Sequence, residues 1–120
     1  MYCKKAIYAT PCDLVKQMKI KDIGEIVAER RFTIESESTS EIVVAIGKPM
    51  AFPDSEDYYV PYQIKGIGDE QIRFAGGVDA IQCLQLVMTI LGYELLAINE
   101  PRKNKIIWDG DENGGLGFPI

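Results

Sequence analysis

The stretch GGVDAIQCLQLVMTILGYELLAI, residues 76–98, is the most informative part of the chain about its fold, because its apolar residues recur at steps of three or four. The apolar stripe comprises Val78, Ile81, Leu84, Val87, Met88, Leu91 and Leu95. The polar residues opposite it are Asp79, Gln82, Gln85 and Thr89. This spacing predicts one long amphipathic helix, with Asp79 in the first turn, where a carboxylate is favourable. The pattern is compatible with two carboxy-terminal ends of this helix, one before Gly92 and one near Ile98. We favour the longer helix, because Pro101 is the first residue that strongly opposes its continuation.

Outside this helix, apolar and polar residues alternate with a period of two, which is typical of half-buried strands. The predicted strands cover residues 25–35, 42–46, 58–65, 71–74 and 105–108. A polar run at 36–40 joins the first two strands into an antiparallel hairpin, and Gly76 and Gly77 end the sheet pattern before the helix. Pro61 lacks the N–H that a strand ladder needs, so we expect an edge or a bulge in the third strand.

The order of these elements predicts the fold class. Three to five antiparallel strands and one long amphipathic helix indicate an α+β fold, in which the helix covers one apolar face of the sheet. We assign a single domain to residues 22–120. Residues 1–21 form a basic amino-terminal extension, with a short helix predicted from about 11 to 19 because Thr10 and Pro11 suit a helix start.

The composition restricts the chemistry. The chain of 120 residues has no histidine, which excludes Ser-His-Asp and Cys-His catalysis and histidine-ligated zinc. Cys3, Cys12 and Cys83 lack the spacing of a zinc or redox site, so we interpret them as reduced thiols, with Cys83 in the core. No run of about 18 apolar residues and no apolar signal-peptide core occurs. We therefore expect a cytoplasmic protein with no cofactor and no membrane partner.

The net charge of −5 is unevenly distributed. Residues 1–21 carry five lysines and one aspartate, whereas the remainder of the chain carries 8 basic and 17 acidic side chains, a net charge of −9. An acidic body binds nucleic-acid phosphates poorly and attracts a basic protein. We therefore expect a basic protein partner and no nucleic acid. The alternative is that the acidity serves solubility alone.

The loop before the third strand combines apolar and acidic side chains, a composition found at protein interfaces. The candidate partner-binding residues are Met50, Phe52, Asp54, Glu56, Asp57 and Tyr59. In the alternative interpretation, Phe52 and Tyr58 fold inward to close the end of the core, while the acids face water.

Arg30 breaks the alternation of the first strand, because it falls on the apolar face. With Glu29 and Tyr62 it defines a candidate ligand-binding site in a sheet pocket, and no catalytic residue is assigned. The alternative is a structural arginine that reaches solvent or pairs with a buried carboxylate.

The carboxy-terminal tail contains a partial metal-site pattern. Asp109, Asp111 and Asn113 have the spacing of the first half of a calcium loop, and Gly114 stands where that loop turns sharply. The position of the bidentate glutamate is occupied by Ile120, so a plain acidic turn is the alternative interpretation.

Four segments carry a family resemblance. They are VAERRF (27–32), PYQIKGIGD (61–69), GVDAIQ (77–82) and LGFP (116–119). These segments resemble a family of small bacterial proteins of unknown function, over about residues 26–119 and without the basic extension. The resemblance implies a bacterial origin and a compact domain, and it assigns no activity.

Three functions stay open at this point. The first is a domain that binds and neutralises or regulates a basic protein, as toxin-immunity proteins do. The second is a small-ligand-binding protein or enzyme with a pocket around Arg30. The third is a structural subunit that self-associates through the edge of the third strand.

Overall fold

The computed structural model describes residues 20–109, 111 and 114–119. Within this part of the chain the strands are β1 (Ile26–Ile34), β2 (Glu37–Gly47), β3 (Met50–Ala51), β4 (Tyr58–Lys65), β5 (Arg73–Gly77) and β6 (Ile106–Ile107). The helix of this part is α1 (Ala80–Asn99). The helix predicted at about 11 to 19 lies outside the described residues, as do Cys3 and Cys12.

Every strand pair in the described part is antiparallel. The sheet path runs β3-β4-β2-β1-β6, and β5 also pairs with β4. Tyr62 of β4 has partners in both β2 and β5, and Tyr58 has partners in both β3 and β5. The predicted α+β arrangement with one long helix is therefore confirmed. The two-residue strand β3, inside the predicted loop, is an addition to the five predicted strands.

Pro61 does not mark a sheet edge, because β4 has neighbours on both sides. The pairing of β4 with β2 ends at Tyr62, and its pairing with β3 begins at Tyr59, so Pro61 lies at an interruption of the ladder. Gly47 ends β2 beside this point, and a Cβ on Gly47 would lie 2.6 Å from the Pro61 ring. The missing N–H is accommodated by a break between two strands. Within the part of the chain that the structure describes, β4 is therefore not an edge strand, which removes the edge on which predicted self-association rested.

Strand β5 continues through Gly76 and Gly77, where the sequence pattern predicted that the sheet ends. Both glycines pair with residues of β4. A Cβ on Gly77 would lie 2.9 Å from Gln82 Oε1 and 3.1 Å from the Cys83 backbone nitrogen. The glycine therefore lets β5 pass close to the first turn of α1.

Helix α1 continues through Gly92 to Asn99, so the longer predicted helix is confirmed. Asp79 precedes its first residue, and Asp79 Oδ1 accepts a hydrogen bond from the Gln82 backbone N–H at 2.8 Å. Asp79 is thus the N-cap rather than a residue of the first turn. By length and composition alone, α1 is apolar enough to cross a membrane, with a mean hydropathy of 1.7 over 18 residues. Helices that cover a protein core meet the same criterion.

The core lies between α1 and one face of the sheet. Its sheet residues are Phe32, Ile34, Ile42, Val44, Ile46, Val60, Tyr62, Ile64 and Ala75. Its buried helix side chains are Cys83, Val87, Leu91 and Leu95. Val78 and Ile81, which belong to the predicted stripe, are 64% and 68% exposed, because α1 packs on β4 and β5 along a narrower line. Cys83 is fully buried, as predicted, and desolvation raises the pKa of its thiol to about 12.

The carboxy-terminal segment covers another part of the same sheet face. Leu116 is buried in the core, and Trp108 and Phe118 pack against it. Gly117, which has a φ of 84°, lies where a Cβ would overlap the side chains of Arg30 and Trp108. Two segments therefore cover the apolar face of the sheet. Helix α1 packs on β4 and β5, and the carboxy-terminal tail lies beside β1 and β2.

Candidate functional site

The predicted partner-binding loop turns two of its aromatic rings towards each other. Phe52 is only 8% exposed, and its ring centroid lies 5.1 Å from that of Tyr59 and 6.0 Å from that of Phe74. This cluster lies on the sheet face opposite α1, because Tyr59 alternates with the core residue Val60. Tyr58 packs against the main core. Tyr58 thus has the inward position of the alternative interpretation, whereas Phe52 is buried in an aromatic cluster on the other sheet face and does not close the core.

The remaining residues of this loop are in contact with solvent. Met50 is 47% exposed, Asp54 and Glu56 are exposed, and Asp57 is half-buried. The Phe52 backbone N–H donates to the Asp57 carbonyl at 2.9 Å and closes the loop. The loop therefore presents an acidic tip beside Met50.

Arg30 binds the carboxy-terminal segment. Its Nη1 donates to the Gly117 carbonyl at 2.8 Å and lies 3.4 Å from the Leu116 carbonyl oxygen. Its guanidinium carbon lies 4.2 Å from the ring centroid of Trp108 and 5.2 Å from that of Phe118. Arg30 thus fastens the tail to β1 through carbonyls and aromatic rings, rather than through the carboxylate considered from the sequence.

The three predicted ligand-binding residues do not all line one groove, because Glu29 and Arg30 line a groove of about 380 Å³ and Tyr62 lines another. Glu29 points away from the face of Arg30, and its Oε1 lies 3.6 Å from Arg31 Nη2. Tyr62 shares the face of Arg30 but lies two strands away on β4 and lines a different groove. A pocket built jointly from Glu29, Arg30 and Tyr62 is therefore not formed.

The partial calcium-loop pattern is only partly described. Asp109 is exposed and Asp111 is half-buried, while Asn113 lies outside the described residues. Across residues 20–109, 111 and 114–119, no group of three His, Cys, Asp or Glu side chains is placed to hold a metal ion. Calcium binding by the complete loop stays a prediction.

Tyr62 forms a hydrogen-bonded triad with two residues that the sequence pattern did not single out. Tyr62 Oη donates to Glu94 Oε2 at 2.9 Å, and Arg73 Nη1 donates to Glu94 Oε1 at 3.3 Å. Burial, together with the adjacent Glu94 carboxylate, raises the pKa of Tyr62, so its hydroxyl stays protonated and donates. Glu94 is the one charged residue in the sequence of α1, and this isolated charge is the sequence signal by which it could have been found.

The triad lines a groove of about 410 Å³, which we call the Tyr62 groove. The other residues that line it are Ile64, Ile67, Gly68, Asp69, Gln71, Ala97 and Ile98. Asp69 Oδ2 lies 4.0 Å from Arg73 Nη2. The groove therefore combines apolar walls with two carboxylates and one guanidinium group.

A second groove, of about 1060 Å³, lies between α1 and β6. Tyr93, Leu96 and Ile107 line it and are 61%, 40% and 38% exposed, and we call this groove the helix–β6 surface. Its charged lining residues are Glu35, Glu100, Lys105 and Asp111. Lys105 Nζ donates to two carbonyls at the end of α1, at 3.0 and 2.8 Å, so its charge is held at the helix terminus.

Comparison with known proteins relates the chain to a family. No curated protein and no solved structure matches it. A family model does match, from a point within β1 to the carboxy terminus, and it agrees with the resemblance to an uncharacterised single-domain family. The match leaves the basic amino-terminal extension outside. Because the model of the domain of unknown function DUF6968 covers residues 28–120, the protein belongs to this family.

Proposed function

We propose that this domain binds a basic protein partner, and that the partner docks on the helix–β6 surface. The observation that carries the proposal is the exposure of Tyr93, Leu96 and Ile107 around one broad groove. Contiguous exposed apolar side chains are typical of protein interaction sites, whereas single exposed ones are ordinary surface. Neutralisation or regulation of the partner, as by an immunity protein, is one form of this function.

The apolar residues have the geometry of a docking stripe. Tyr93 and Leu96 lie three positions apart on α1, so their side chains are neighbours on one helix face. Ile107 adds a third apolar side chain from β6. Tyrosine is frequent at binding hot spots, because its ring buries a large area while its hydroxyl still forms a hydrogen bond.

The charges around this groove favour a basic partner. Glu35, Glu100 and Asp111 line it, and the basic residue Lys105 is bonded to the end of α1. The chain beyond residue 21 carries a net charge of −9. Opposite charges accelerate association, and like charges oppose acidic partners.

The acidic loop is a second candidate surface for the same class of partner. Met50 is 47% exposed beside the exposed Asp54 and Glu56, which favours it. Its apolar area is smaller, because Phe52 and Tyr59 pack against each other. We therefore rank the helix–β6 surface first.

The test is capture of the partner by tagged variants from a lysate of the source organism, at low and high salt, with mass spectrometry. We expect the wild type to recover one basic protein in equimolar amount and to release it at high salt. The variant Tyr93→Glu/Leu96→Glu should lose at least about 99% of this protein, because apolar anchors dominate interface energies. The matched variant Asp54→Lys/Glu56→Lys should retain it.

Each other outcome contradicts the proposal in a defined way. Loss of the partner only in the loop variant Asp54→Lys/Glu56→Lys would show that the binding site is the acidic loop. An acidic partner, no partner, or a homodimer that Tyr93→Glu/Leu96→Glu dissociates would refute the helix–β6 surface as a site for a basic protein. Circular dichroism confirms that both variants are folded before capture is compared.

A further inference from the structure

We infer that the Tyr62 groove is a binding site for a small organic amine in its protonated, cationic form. This inference is independent of the partner proposal, because the two grooves share only Ala97 among their lining residues and have no charged side chain in common. The groove volume of about 410 Å³ lies in the range of small-molecule sites. Its size, its apolar walls and its charges each restrict the ligand.

The walls accept an apolar body. Ile64, Ile67 and Ile98 line the groove, so a ligand with a short alkyl chain or a ring removes apolar surface from water on binding. These walls also cover part of the Glu94 side chain, which is 27% exposed. Partial burial strengthens an electrostatic contact made there.

Glu94 supplies the acceptor for the amine. Its two carboxylate oxygens each receive one hydrogen bond, from Tyr62 Oη at 2.9 Å and from Arg73 Nη1 at 3.3 Å. A carboxylate oxygen accepts two hydrogen bonds, so one acceptor position on each oxygen remains for a ligand. The Glu94 side chain is 27% exposed, which gives a ligand access to it. The donors from Tyr62 and Arg73 hold the carboxylate in place for an ammonium group.

The balance of charge selects a cation. Asp69 and Glu94 oppose one guanidinium, that of Arg73, so the groove carries one excess negative charge. The burial of Tyr62 keeps its hydroxyl neutral, so this residue adds no further charge. A protonated amine neutralises the groove, whereas a carboxylate ligand meets two like charges and an alcohol lacks the Coulomb attraction.

The rim of the groove is fixed by a short turn. Asp69 Oδ1 accepts from the Gln71 backbone N–H at 2.9 Å, and Glu70 Oε2 accepts from the Gly66 backbone N–H at 2.9 Å. Gly66 and Gly68 have φ values of 95° and 54°, which the turn requires. These bonds keep Asp69 at the entrance, where it attracts a cation.

The experiment is a titration followed by NMR, with butylamine and benzylamine as probes and with butanol and butyrate as neutral and anionic counterparts. We expect saturable shifts at Ile64 and Ile98 with the amines, and affinities at least about tenfold weaker for the counterparts. Glu94→Gln should weaken amine binding by about tenfold or more. Glu25→Gln, a matched change at an exposed position outside both grooves, should leave it unchanged.

Equal binding of the amines and butanol, no saturable shift with either amine, or unchanged affinity in Glu94→Gln would each overturn the inference. A second variant covers the case in which Glu94→Gln does not fold. Asp69→Asn removes an exposed rim charge and should reduce amine affinity by about two- to fivefold. An unchanged affinity in that variant would contradict the role of the excess negative charge.

Discussion

Tyr93 and Glu94 are neighbours in α1, and they belong to two different surfaces. Tyr93 is 61% exposed on the helix–β6 surface, whereas Glu94 accepts hydrogen bonds from Tyr62 and Arg73 in the Tyr62 groove. One step of roughly 100° around the helix separates them. The first surface is wide and apolar, which suits a macromolecule, and the second is small with a fixed charge at its centre, which suits a small cation.

One helix therefore contributes residues to both proposed sites. The two surfaces depend on one core, in which Leu91 and Leu95 of α1 are fully buried. A change in the core should therefore affect both surfaces, whereas a change at one surface should leave the other intact. Two pairs of residues of the same type, Leu95 with Leu96 and Tyr62 with Tyr93, provide the matched controls, because one member of each pair is buried and the other is exposed.

The largest effect is expected from the adjacent leucines. Leu95→Ala should lower the free energy of unfolding by about 2–5 kcal/mol, because Leu95 is 0% exposed and its truncation leaves a cavity. Leu96→Ala, at a position that is 40% exposed, should change it by about 0.5 kcal/mol or less. Urea denaturation of both variants measures the difference. Equal losses would mean that the helix–β6 surface is part of the core.

Removal of the hydroxyl from Tyr62 and from Tyr93 should show a smaller difference in stability between the two surfaces. Tyr62→Phe should cost about 1.5–3 kcal/mol of unfolding free energy, since it removes a hydrogen bond to the ionised Glu94 carboxylate. Tyr93→Phe removes an exposed hydroxyl and should be neutral within about 0.5 kcal/mol. Urea denaturation at neutral pH reports both values. A neutral Tyr62→Phe would mean that the triad does not hold Glu94 in place.

Alkaline pH should destabilise the fold through buried acids of the core. Burial raises the pKa of Cys83 from 9.0 to about 12 and also raises that of Tyr62. The stability that Cys83 contributes is complete below pH 9 and is lost as the pH rises towards 12, because the unfolded thiol ionises first. The loss should be about 1 kcal/mol by pH 10. Urea denaturation from pH 8 to 10 tests this, and Cys83→Ala should show a shallower fall.

Much of the fold was predictable, because local patterns record which side of an element is buried. Alternation over 25–35 predicted β1, and the spacing of apolar residues predicted α1, although Asp79, expected in the first turn, is the N-cap. The strand end predicted at Gly76 and Gly77 was wrong, although paired glycines normally end a strand. Their place in β5 depends on a partner strand and on the close approach of α1, and neither is visible in local sequence.

The candidate sites were less predictable, because they depend on contacts between residues that are far apart in the sequence. Arg30 was recognisable as an anomaly on an apolar face, and its contact with Gly117 was not. Tyr62 was singled out with the wrong neighbours, Glu29 and Arg30, in place of Arg73 and Glu94. An alternating pattern predicts that a side chain points to the core. It does not predict which other side chain is in contact with that residue.

The amino-acid order alone accounts for the periodicities of β1 and α1, the lack of histidine chemistry and the acidic charge of the body. The packing of the elements, by contrast, brings Arg30 to the carboxy-terminal tail across a separation of 87 residues, and Tyr62 to Glu94 across a separation of 32. The physical reason is that periodicity arises from burial of one side of a single element. The identity of what covers that side depends on how all elements pack together, with α1 on β4 and β5 and the tail beside β1.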